Sequence, residues 1–165
     1  MTGNATISQL PDIAIVGLEE GLDSPSLWIL AGLNKNENPF QVDDYFRRTL
    51  QELNIKLPDK RQAAIEFGIA IAEQIIAGKI DLIIGTKQII DKAIHNYDFF
   101  SETENYCYDS IGFETVYGVY YNYEDLVYAD HPWQVDKTNE ELLTEVKAEL
   151  LEELRKWIEK YKNGA

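Results

Sequence analysis

The chain has 165 residues, 15 Lys and Arg against 29 Asp and Glu, a formal net charge of −14, and 10 tyrosines. That length predicts a single domain over residues 1–165, able to bury about 70% of its unfolded surface without a disulfide or metal staple. The acidic balance repels nucleic acid and anionic membrane alike, which excludes both as main partners.

One cysteine, Cys107, excludes an internal disulfide framework and a multi-cysteine zinc site, and it fits a reducing compartment. Met1–Leu10 carries no Lys or Arg and no long apolar run, so it does not read as a secretory signal. The apolar stretches Ile13–Leu18 and Leu27–Leu33 fall far short of the ~20 residues that a membrane helix needs. The expectation is a cytoplasmic protein. No internal repeat and no Gly/Ser-rich or Pro-rich linker divides it.

In chain order, Leu10–Glu20 reads as a short helix with Pro11 in its first turn and Gly21 as its stop. The run Ile13-Ala14-Ile15-Val16 fits a strand as well. Ser24 followed by Pro25 is an N-cap and first-turn pair, opening a short helix over Leu27–Ala31 that stops near Gly32. Asn34–Pro39 is a polar loop. Val42, Tyr45, Phe46, Leu50 and Leu53 recur at helical spacing. Leu57-Pro58-Asp59 breaks that helix and opens the next, which runs to Ala77 and stops at Gly78. Its apolar residues cover much of its circumference, the mark of a central helix. Asp81 starts another helix through about His95.

Thr138-Asn139-Glu140-Glu141 is a capping box, and Leu142, Val146, Leu150, Leu154, Trp157, Ile158 and Tyr161 follow it at helical spacing. The charges of this last helix suit its macrodipole, with Arg155, Lys156 and Lys160 late. Its apolar stripe is wider than a heptad seam, so it should pack on its own domain, leaving a monomer or weak homodimer. The architecture expected is mainly α, a bundle of five to six helices. A small strand pair near residues 105–123 is the variant reading, because Tyr and Thr favour strand there.

Gly21-Leu22-Asp23-Ser24-Pro25-Ser26-Leu27-Trp28-Ile29-Leu30-Ala31-Gly32-Leu33 resembles a pattern in small helical bacterial proteins of unassigned function. Gln51-Glu52-Leu53-Asn54-Ile55 and Ala77-Gly78-Lys79-Ile80-Asp81 are similar to segments in the same setting. The resemblance covers roughly the first half of the chain. It implies a helical fold and a bacterial origin, with no named family and no catalytic residue. These motifs are caps and turns.

Catalytic and cofactor signatures are missing. No phosphate-cradling, dinucleotide or nucleophile-elbow motif occurs, and no cofactor is expected. The two histidines, His95 and His131, stand far apart in sequence. Asp130 beside His131 does not supply metal-ligand spacing, and His95 suits a helix C-terminus. Cys107 stands among Tyr106, Tyr108 and Asp109, with no base or cation beside it to favour a thiolate, which argues against a nucleophilic role. Paired carboxylates carry no information among 29 acids.

What stands out is Ala93–Asp136: 44 residues with no Lys or Arg, nine acids, eight tyrosines, and twelve of the 19 aromatic residues. Tyrosine offers rigid contact area with a polar tip, and acids beside it steer a basic partner. The plain reading is tyrosines at the core periphery with solvated acids between them. The docking reading names Asp98, Glu102, Glu104, Tyr106, Tyr108, Asp109, Tyr121, Tyr123, Glu124 and Asp125 as partner-binding residues. The function expected is non-enzymatic. An acidic protein of the immunity or antitoxin type would mask a basic partner, because nuclease toxins carry basic phosphate-binding faces. The alternative is an enzyme or small-molecule binder with a carboxylate- and tyrosine-lined pocket, and a third reading is a self-associating scaffold.

Overall fold

The computed structural model describes residues 6–34, 36–128 and 136–162. His131 and Asp130 lie outside them. The fold is mainly helical, with seven α-helices and no strand among the described residues. None of these helices is long and apolar enough to cross a membrane. The chain forms two compact units, Met1–Lys60 and Arg61–Ala165.

In the first unit, α1 (Leu10–Glu19), α2 (Pro25–Ala31) and α3 (Pro39–Glu52) pack together. The Ile13–Val16 run is helical, because Pro11 opens α1 and Gly21, at φ +90°, reverses the chain after it. Ser24 caps α2 as its hydroxyl accepts from the Leu27 amide at 3.2 Å. The Glu52 carboxylate, at the end of α3, accepts from both the Ser26 amide (2.9 Å) and the Ser26 hydroxyl (2.7 Å). Those two donors hold the Glu52 carboxyl below its ordinary range. Leu10, Ala14, Leu27, Leu30 and Val42 form the buried centre. A pocket of about 210 Å³ opens beside them, lined mostly by Leu, Ile and Phe.

The second unit holds α4 (Lys60–Ile76), α5 (Leu82–Lys92), α6 (Glu114–Tyr128) and α7 (Asn139–Lys162). α4 buries Ala63, Ala64, Ile65, Gly68, Ala72 and Ile75, as its near-uniform apolar surface implies. Gly78, at φ +69°, ends it. Asp81 caps α5 by accepting from the Ile83 and Ile84 amides, both at 3.0 Å. The expected continuation of α5 to His95 is a separate 3-10 turn, Ile94–Asn96. The capping box of α7 forms: Thr138 Oγ1 accepts from the Glu141 amide (3.3 Å), and the Glu141 carboxylate accepts from the Thr138 amide (2.8 Å). α7 packs chiefly along α6.

The strand pair near 105–123 does not form, and this corrects the variant reading. Residues 104–113 are turns around a 3-10 segment, Asp109–Ile111, and the residues after them are helical. Val116, Val119, Tyr120 and Leu126 are buried at helical spacing in α6, where Leu150, Leu154, Trp157 and Ile158 of α7 are buried alongside. Packing of that face outweighs the strand propensity of Tyr and Thr. α6 also accounts for the helix count of seven in place of five to six.

Candidate functional site

The Lys/Arg-free stretch folds as a set of turns feeding α6. Where α5 ends, Asp98 caps the turn Phe99–Glu102 by accepting from the Ser101 amide at 3.2 Å. Adjacent rings then part: Phe99 is fully buried, while Phe100 is 62% exposed. Asp109 holds the next loop. Its carboxylate accepts from the amides of Glu104 (3.1 Å), Asn105 (2.7 Å) and Tyr106 (3.0 Å). The amides of Tyr106, Asn105 and Glu104 bring the Asp109 carboxyl down to about 2. Tyr106 stands out from this loop, 72% exposed. Tyr108 takes a left-handed conformation at φ +66°, and its ring is buried.

A chain of ring contacts joins the turns to α6. Tyr108 meets Tyr117 edge-on with centroids 4.8 Å apart, and Tyr117 lies 4.6 Å from Tyr121. The Tyr120 hydroxyl donates to Glu124 Oε1 at 2.8 Å. Burial, and then the Glu124 carboxylate, raise the Tyr120 phenol above its ordinary range. Burial does the same for Tyr117, so both rings stay protonated in ordinary buffers. Lys147 of α7 places its ammonium 5.5 Å from the Tyr123 ring centroid.

The ten residues expected to bind a partner therefore divide. Asp98, Glu104, Tyr106, Tyr121 and Asp125 are exposed. Tyr108 belongs to the core, so its ring is no part of an exposed face. Asp109 is taken up by loop amides, Glu124 by Tyr120, and Tyr123 faces Lys147. Glu102 is paired with Arg61 at 3.0 Å. Burial pushes the Glu102 carboxyl up, but hydrogen bonds from Tyr97 and Arg61 outweigh it and the carboxyl sits below its ordinary range. Sequence reasoning passed over two exposed aromatics: Phe100, and Tyr128 at 81% exposure. The signal for Phe100 was its adjacency to Phe99, since neighbouring side chains in a tight turn do not share one face.

Tyr121, Asp125 and Tyr128 fall on one stripe of α6, spaced four and three residues apart. A cleft of about 440 Å³ opens at the other end of the ring chain. His95, Asn96, Asp98, Phe100 and Tyr108 line it. Asp98 is the one carboxylate of that lining. Cys107 is a free, partly buried thiol packed against the core. Among the described residues no three His, Cys, Asp or Glu side chains gather as metal ligands. No family model, curated protein or solved structure matches this chain.

Proposed function

We propose that this protein is a non-enzymatic binding protein of bacterial origin that masks a basic partner protein. The concrete form is an immunity- or antitoxin-type inhibitor whose acidic, aromatic face occupies a nucleic-acid-binding site. One observation carries the reading. Phe100, Tyr106, Tyr121 and Tyr128 are exposed beside Asp98, Glu104 and Asp125, in a stretch with no Lys or Arg. Exposed aromatic rings supply the residue types that interfaces favour, and a field of one sign steers a partner of the other.

Immobilised protein washed with host lysate at low and then high salt, with mass spectrometry of the eluate, tests it first. A basic protein retained at low salt and released at high salt is the expected result. Association kinetics with that protein complete the test. Charge reversal at exposed, unburdened acids, Glu104→Lys with Asp125→Lys, should slow association about tenfold and flatten its salt dependence. Unchanged association rates in the reversed variant would sink the proposal, as would no basic protein at any salt.

A further inference from the structure

We infer that the cleft between the Ile94–Asn96 turn, Phe100 and Tyr108 is a guanidinium pocket, which receives an arginine side chain of the basic partner. This inference rests on the masking role proposed above and names its anchor.

The chain builds the same recognition unit once for itself, immediately alongside. The Arg61 guanidinium lies over the Phe99 ring at 5.7 Å from its centroid, and it pairs with Glu102 at 3.0 Å. Ring face and carboxylate together hold one arginine. The next residue, Phe100, and the carboxylate of Asp98 offer the same two elements to the outside. Phe100 is 62% exposed, and both residues line a cleft of about 440 Å³, large enough for a guanidinium on its propyl stem.

Asp98 keeps capacity for such a guest. The Ser101 amide occupies one of its oxygens at 3.2 Å, while a carboxylate has about four acceptor positions. Tyr108, packed on Tyr117, and His95, whose ring centroid is 6.5 Å from that of Tyr108, complete the lining. No Lys or Arg lies between Ala93 and Asp136 in the sequence. Arginine suits this lining better than lysine, because its planar fork both stacks on a ring and bridges a carboxylate, whereas an ammonium is a compact, strongly hydrated point charge. Arginine is also among the residues that dominate binding energy when seated in a pocket.

The test titrates the full chain, labelled for amide NMR, with acetyl-Gly-Arg-Gly-amide and with its lysine and citrulline counterparts. The arginine peptide should give saturable shifts at residues 94–100 and 108. The lysine peptide should bind about threefold more weakly or worse, and the neutral citrulline peptide not at all. Asp98→Asn and Phe100→Ala should each weaken binding about fivefold or more, with amide spectra elsewhere unchanged, while Glu159→Gln, at an exposed acid of α7 away from the cleft lining, binds as the parent does. Shifts that spread over the acidic surface without saturating would overturn the pocket. So would equal binding of arginine and lysine peptides, or Asp98→Asn and Phe100→Ala proteins that bind like the parent. If the peptide fails while Glu104→Lys with Asp125→Lys still slows partner association, the pocket is wrong and the masking surface stands. If the peptide saturates the cleft but partner association ignores charge reversal, the pocket stands and masking falls.

Discussion

Tyr108 and Tyr117 meet edge to face with their ring centroids 4.8 Å apart, and this contact couples the turns after α5 to helix α6. Tyr108 makes it from a backbone at φ +66°, a conformation that bulky residues avoid. Truncating Tyr108 to Ala should cost about 3–5 kcal/mol, as for a buried aromatic. A double-mutant cycle with Tyr117→Ala should return a coupling of about 1 kcal/mol. Urea denaturation of the four proteins measures it, and a coupling near zero would mean that the rings are neighbours without being partners.

Asp109 makes the loop sensitive to acid. Its folded value, about 2, lies below the ordinary 3.8. The stabilisation it contributes is therefore complete above the ordinary value and disappears as pH falls from there through about 2. Near-ultraviolet tyrosine signals followed on acid titration should show a transition in that window. The Asp109→Asn protein should lack that component and be less stable at neutral pH. A superimposable acid transition in the variant would show that the three amide bonds do not set it.

Ile111 presents one carbonyl to two donors of α7, Trp157 Nε1 and the Tyr161 hydroxyl, each at 3.0 Å. Loss of either leaves the carbonyl satisfied. Tyr161→Phe should therefore cost no more than about 1 kcal/mol. The Trp157→Phe, Tyr161→Phe double variant should lose more than the two single losses added, because it strands a buried acceptor. Thermal denaturation of the set decides, and strict additivity would contradict the shared-acceptor reading.

Gly85 is required for space. A Cβ built there would sit 2.5 Å from Ile75 Cγ1 and 2.9 Å from Ile80 Cγ2. Alanine normally stabilises a helix interior by about 1 kcal/mol over glycine. Here Gly85→Ala should be destabilising by about 1–3 kcal/mol, because the Ile75 side chain is displaced within a packed core. Pairing it with Ile75→Ala, which removes Cγ1 and Cδ1, should recover part of the loss in a urea melt, the pair costing less than the two single changes added. No recovery would place the strain elsewhere.

Ser24 offers a local test of the first unit. Its hydroxyl satisfies the Leu27 amide, and Ser24→Ala should cost about 1 kcal/mol. The measurement is the chemical denaturation midpoint, and an unchanged midpoint would show that the neighbouring Glu52 bonds to Ser26 alone set the start of α2.

Much of this molecule was already decided in its sequence, because the signals concerned are local. Pro11, the Ser24-Pro25 pair, Asp81, Gly78 and the Thr138–Glu141 box each act within one helical turn, so helix starts and stops followed from residue chemistry alone. Periodicity in α3 and α7 marked their buried faces for the same reason. The charge pattern of Ala93–Asp136 was equally plain, since composition needs no geometry. Tertiary structure decided the rest. Whether Glu114–Tyr128 became helix or strand depended on its face meeting α7, a residue set that begins only at Asn139. Which carboxylates face a partner was likewise beyond local reading: Asp98 and Asp125 reach solvent, while Asp109 turns to three loop amides and Glu102 to Arg61, 41 residues away. An acid's availability depends on the donors that folding brings to it, and those donors are set by three-dimensional contact.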